Sequence, residues 1–186
     1  LGKLLFQTND LNHPGFNQFI SKNNDYYLHG IIKNFEESIL NKINFTKPKS
    51  VKSKKIKFLA GFHTRNAPHK GHEWIHRYGI KKCKNLLIQP LIGQFKKGEF
   101  KEEVIINANL KYIEQSKYNN NILFAFYNSF PRYAGPREAL MHAIVRRNYG
   151  CSHFLVGRDH AGIDNYYSKY ESQNLCKKYE KKIKIK

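Results

Sequence analysis

From residue 56 onward, short apolar runs alternate with longer segments of helical periodicity, and this alternation constrains the chain more than any other feature. Residues 56–62, 86–91, 122–126 and 153–156 read as short buried strands. Between them, 69–83, 102–116 and 136–148 read as helices. Strands without polar alternation need cover on both faces, and strand–helix–strand units of this length place successive strands parallel. The pattern predicts an α/β fold, a parallel sheet between two helical layers. In such sheets ligands collect beyond the carboxyl ends of the strands. That draws attention to 61–73 (GFHTRNAPHKGHE), 132–138 (RYAGPRE) and 157–162 (GRDHAG).

The rest of the chain is less regular. His13-Pro14-Gly15 marks a turn, followed by a predicted helix at 16–21 and a short strand entry at 25–30 with Ile31 and Ile32. Residues 47–55 (KPKSVKSKK) carry no apolar periodicity and read as a linker or loop, and 171–186 as a solvated Lys-rich tail. No apolar stretch approaches the roughly 20 residues of a membrane span. The three cysteines, at 83, 151 and 176, form neither a disulfide framework nor a finger pattern, so a reduced, cytoplasmic setting is expected.

The formal net charge of +19 invites a nucleic-acid reading, but its distribution argues otherwise. The chain holds 26 Lys and only 7 Arg, and the Lys are scattered. Six of the Arg (65, 132, 137, 146, 147 and 158) fall in segments rich in Gly, Pro and His. A guanidinium holds an anion at two points, which an ammonium cannot do. Arg retained in a Lys-rich chain therefore points to demanded geometry. At strand ends and helix starts, Arg and His build a site for phosphate- or sulfate-like anions. Nucleic acid is not expected as a partner.

His69 and His72, three apart at a helix start, lie on one face and can steady developing negative charge. His72-Glu73-Trp74-Ile75-His76 also matches the zinc-protease helix H-E-x-x-H. Lys82 stands where a third ligand His would complete the longer form, so Glu102 or Glu103 would have to serve, beside Arg65, Lys70 and Arg77. No protein-bound metal is expected.

HTRNAPHKGHE, PLIGQFKKGEF, RYAGPREALMHAIVRRNYGCSHFLVGRDHAG and the earlier HPG together resemble ATP sulfurylase (sulfate adenylyltransferase), from about His13 to about Tyr170. His69-Lys70-Gly71-His72 matches the H-x-G-H signature of the wider nucleotidylyltransferase superfamily. The resemblance implies a Rossmann-like nucleotidylyltransferase core at 56–170, preceded at 1–46 by the end of a partial N-terminal domain. It also implies a reaction: sulfate attacks the α-phosphorus of MgATP, releasing pyrophosphate and forming adenylylsulfate, with no covalent protein intermediate. By the same resemblance Thr64, Arg65 and Asn66 form the catalytic cluster, and His69 and His72 stabilise the transition state. Sulfate would meet His63, Arg65 and the backbone of Ala161. ATP would meet Arg65, Asn66, Ala67, Pro68, Gly157, Arg158, Asp159 and His160. Mg²⁺ would arrive with ATP, and a homo-oligomer is left open.

The sequence departs from the family pattern in three places. His63 stands where the family usually has Gln, and Ala67 where it more often has Pro. The family pattern also runs on to a further strand and a Ser-Gly-Thr…Arg segment, so the chain reads as truncated at both ends. Two other readings follow: a related H-x-G-H nucleotidylyltransferase with a different substrate, and a non-catalytic ATP-binding homologue.

Overall fold

A computed structural model describes residues 1–21, 56–93, 98 and 100–186. The expected strand entry at 25–32, the linker at 47–55 and residues 94–97 and 99 lie outside the described residues. Five strands, β1 (Leu59–Thr64), β2 (Asn85–Ile92), β3 (Ile122–Phe124), β4 (Tyr127–Asn128) and β5 (His153–Leu155), form a wholly parallel sheet. The strand order is β3-β2-β1-β5, with β4 pairing on the carboxyl end of β2 beyond β3. This is the order of a Rossmann-like half, in which the chain reverses direction across the sheet beside its first strand.

Alternation along β1 assigns the two faces. Leu59 joins Leu87, Ala143, Phe154, Ile183 and Ile185 in one core cluster. Ala60 and Phe62 join Ile80, Leu86, Ile88 and Phe124 in the other. The second cluster is covered by the helices Lys70–Cys83 and Glu102–Gln115, whose Ile75, Ile80, Ile106 and Ile113 pack on it. The first is covered by the helices Gly135–Asn148 and Glu171–Ile183. With Gly2–Phe6 as α1 and Pro14–Phe16 as α2, these four are α3 to α6 in chain order. Both faces of the central strands are sealed, which is why their sequences lack polar alternation.

Each predicted strand and helix from residue 56 onward has its counterpart, with β1 beginning three residues later than the apolar run suggests. The helix expected at 16–21 is the short α2 followed by a π-type turn at Asn17–Ser21.

The Lys-rich segment 171–186 differs most from its expectation. It is not a solvated tail but α6, followed by three residues, the last of which returns to the sheet. Its lysines lie on the outer face, and Ser172, Cys176, Ile183 and Ile185 are buried beneath them. Lys186 closes the segment: its N–H donates to Ser152 O, and its carbonyl accepts from Phe154 N–H, beside β5. Within α6 the inward positions Ser172, Cys176 and Ile183 lie four and seven residues apart, a helical stripe hidden by the intervening charge.

The described N-terminal residues dock against the segments that follow β4 and β5. His13 is fully buried, with Nδ1 accepting from Phe16 N–H, so its Nε2–H donates to Tyr167 Oη at 3.1 Å. Tyr167 Oη in turn reaches Tyr133 O at 2.9 Å. A Cβ at Gly15 would sit 2.0 Å from Arg132 O, so the turn admits only glycine there.

Candidate oxyanion and nucleotide site

Beyond the carboxyl end of β1, the first residues of α3, the middle of α5 and the loop 157–161 enclose a cavity of about 820 Å³. It is lined by His63, Thr64, Arg65, Asn66, His69 and His72 from the first motif. Gly157, Arg158, Asp159, His160 and Ala161 line its other side. Eleven residues assigned to the site from sequence thus come together, although they lie nearly 100 positions apart. Ala67 and Pro68 are not among the lining residues.

Local chemistry sets each position. Thr64 Oγ1 accepts from Asn66 N–H at 3.0 Å, an ST-type turn that bends the chain out of β1. The Arg65 guanidinium lies 5.0 Å from the ring centre of Tyr133, which carries it along the cavity wall. His69 caps α3 by accepting from Gly71 N–H at 3.1 Å, and its ring stacks on that of His72 at 3.8 Å. Burial, with some repulsion from His69, pulls the His72 pKa down to about 4. His72 therefore sits neutral beside the partly positive N-terminus of a 14-residue helix, with His69 stacked on it. Across the cavity, Arg158 Nε pairs with Asp159 Oδ2 at 2.9 Å in the open. The Ala161 carbonyl accepts from Gly135 N–H, tying this loop to the start of α5.

Glu138 and His142 carry no site role in the sequence reading, and Arg146 only a place among the six Arg that point to demanded geometry. They follow one another at intervals of four on α5, and all three are buried. Glu138 accepts from the backbone N–H groups of Arg132 and Ala134, folding the RYAGPRE turn around its carboxylate. Desolvation nevertheless pushes its pKa upward. His142 Nε2 lies 3.6 Å from Glu138 Oε1, and its Nδ1 lies 3.1 Å from His160 Nε2. The carboxylate favours the His142 proton on Nε2, which makes His160 Nε2–H the donor to His142 Nδ1. Arg146 Nη2 donates to His63 Nδ1 at 2.6 Å and to Gln89 O at 3.2 Å. Burial first, then neighbouring charges, hold all three histidines neutral: imidazoles and guanidiniums for His63 and His142, and the guanidiniums of Arg146 and Arg65 for His160, whose pKa is pulled to about 3. The available signal was the spacing itself, because a buried polar stripe at i, i+4 and i+8 must face something that uses it.

His63, His142 and His160 also bring one ring nitrogen each within 4.8 Å of one another, the one group of three metal-ligating side chains among the described residues. Two of those rings are already joined by a hydrogen bond, the third accepts from Arg146, and the charges of Arg65 and Arg146 oppose a dication. The trio is better suited to meeting an anion. The H-E-x-x-H helix gathers no third ligand among the described residues. His76 is instead buried against Phe62, with Nδ1 at 3.0 Å from Tyr112 Oη.

Residues 46–186 match the ATP-sulfurylase family. The chain is 41% identical to a sulfate adenylyltransferase of Ignicoccus hospitalis over 186 residues, covering 94% of this chain and 47% of that protein. It is 39% identical to one of Pyrococcus abyssi, covering 92% and 46%. It also matches a probable bifunctional SAT/APS kinase of Sorangium cellulosum at 34% identity, over 92% of this chain and 30% of that one. The chain spans about half the length, or less, of the curated relatives it matches. A hexameric APS kinase from Thiobacillus denitrificans has a similar fold, with a TM-score of 0.52 and 16% identity over 81% of this chain and 25% of that one.

Proposed function

The chain belongs to the ATP-sulfurylase family, and from that premise we propose that residues 56–170 form a sulfate adenylyltransferase domain acting on MgATP and sulfate. The single observation that supports this most is the convergence of Arg65, the stacked His69–His72 pair and the loop 157–161 on one cavity at the sheet's carboxyl edge. A sulfate oxygen attacks the α-phosphorus, a new S–O–P bridge forms, and the α–β phosphoanhydride bond breaks to release pyrophosphate. No protein nucleophile takes part, so the residues act by position and charge. Arg65 pairs with sulfate and holds it in line with the bond that breaks. Asn66 and the α3 N-terminus receive the triphosphate, while the edges of His69 and His72 meet charge developing on the leaving pyrophosphate. Arg158 and Asp159 flank the nucleotide, and Mg²⁺ enters bound to it.

His63, where Gln is usual, favours a second reading: the same in-line chemistry with another oxyanion. Exchange of labelled pyrophosphate into ATP, run with sulfate, selenate, molybdate or no anion, separates the two. Exchange that needs sulfate and disappears in Arg65→Ala supports the first reading. Exchange only with another anion overturns it. ATP binding without exchange under any condition would make the chain a non-catalytic homologue. No helix among the described residues is long and apolar enough to cross a membrane. The buried free thiols of Cys83, Cys151 and Cys176 suit a reducing, cytoplasmic setting.

A further inference from the structure

Arg146 is the least expected group in the molecule: a guanidinium with no exposed surface, in a chain that otherwise prefers lysine. Among the described residues no carboxylate forms an ion pair with it. Aromatic faces surround it instead, Tyr127 at 5.1 Å and Phe154 at 5.9 Å. β1 makes room for it through Gly61, where a Cβ would come within 2.7 Å of Arg146 Cγ. Through that gap the side chain passes from α5 to the residue two places along the same strand face, His63. An arginine N–H can only donate, so the ring nitrogen that it meets can only accept. His63 therefore carries its proton on Nε2, on a ring that lines the cavity.

Resting on the adenylyltransferase reading, we propose that Arg146 is a positioning residue that locks His63 in the Nε2–H tautomer and so makes that ring a donor-only contact in the oxyanion subsite. A glutamine at this place could turn its amide to donate or to accept. The locked imidazole offers one N–H and no lone pair. A fully deprotonated oxyanion such as sulfate satisfies it from any oxygen. Hydrogen phosphate brings a proton of its own that needs an acceptor, and the locked His63 does not give one. The groups that face His63 are His142 and His160, joined to each other through His142 Nδ1 and His160 Nε2, and the cations Arg65 and Arg146. The lock thus selects against protonated anions of the same size and charge.

The test reads the tautomer directly, without turnover. In the ¹⁵N-histidine-labelled chain, with His63 assigned by its loss in His63→Gln, Nδ1 is expected to be unprotonated and Nε2 protonated from pH 6 to 8. Arg146→Gln should yield a mixture of tautomers and weaken sulfate binding roughly tenfold to a hundredfold. Phosphate binding should weaken far less. Arg146→Lys keeps a donor-only cation and should restore part of the sulfate preference, which a purely structural role would not predict. An Nδ1–H tautomer in the unmodified chain overturns the proposal, as does an unchanged sulfate-to-phosphate ratio in folded Arg146→Gln. Stoichiometric Zn²⁺ binding that shifts all three rings also overturns it in favour of a metal site. Should Arg146→Gln fail to fold, the tautomer of the unmodified chain and the Arg146→Lys ratio still decide. Absent pyrophosphate exchange would refute the transferase reading alone, because tautomer and anion affinity are measured independently of it.

Discussion

Acidification from pH 7 to pH 5 should destabilise this chain through its histidines before its carboxylates titrate. His160 and His76 have their pKa values pulled to about 3, mainly by burial, and His63 and His142 are also held well below the ordinary value of 6.5. A histidine with a depressed folded pKa contributes stability above pH 6.5, and that stability is lost as pH falls toward the folded value. Below pH 6.5 the unfolded chain binds the extra proton, at about 1.4 kcal/mol per pH unit for each group. Between pH 7 and pH 5 each fully enclosed histidine should cost about 2 kcal/mol. His76 and His142 meet that condition, at 1% and 2% exposure. His63 and His160 border the cavity, so about half the effect is assigned to each, giving roughly 6 kcal/mol in all. Glu138, whose raised pKa works the other way, is one group against these four, and His13, His72 and His153 are lowered as well. The total is comparable with the whole stability of a typical domain, about 5–15 kcal/mol. Urea denaturation of the 186-residue chain, followed by far-ultraviolet circular dichroism at half-unit pH intervals, measures it. The midpoint should fall continuously below pH 6.5, and His76→Leu should make the fall shallower whatever its own offset. A midpoint that stays level down to pH 5 and drops only where carboxylates titrate would refute the reasoning.

Three further outcomes follow from the same contacts. His69→Ala or His72→Ala should lower kcat for pyrophosphate release by roughly 10-fold or more with little change in KM for ATP, since their contact strengthens as charge develops. Gly61→Ala should force the Arg146 stem aside at a cost of about 1–3 kcal/mol, and chemical denaturation would show whether the chain stays folded. Ile183→Ala should cost about 2–5 kcal/mol in the same assay, because the side chain is buried in the core beneath α5; a negligible loss would return 171–186 to the status of a dispensable tail.

The comparison of sequence with structure divides along a physical line. Elements whose inward face is uninterrupted were legible: β2 is buried along nearly all its length, and its apolar run marked it within a residue at each end. α6 was not, because its inward positions include Ser172 and Cys176 among six lysines at 171–186, so composition outweighed spacing. The cavity lining followed the same division. Residues concentrated in short motifs at strand ends, such as Arg65 and His160, could be named from sequence because such ends converge by topology. Glu138, His142 and Arg146 belong to a helix that approaches the sheet from one side, and no local pattern says which strand end their stripe will meet. Only the packing of α5 over Gly61 brings Arg146 to His63. That contact bears on the most conspicuous departure from the family pattern. A histidine substituted for a glutamine without a fixed proton could accept as readily as it donates, and its charge would follow pH. Held by a buried guanidinium on Nδ1, it becomes a neutral donor of fixed direction. On the proposed reading, an imidazole can stand in an oxyanion subsite because the helix behind it, not the motif that contains it, determines which nitrogen carries the proton.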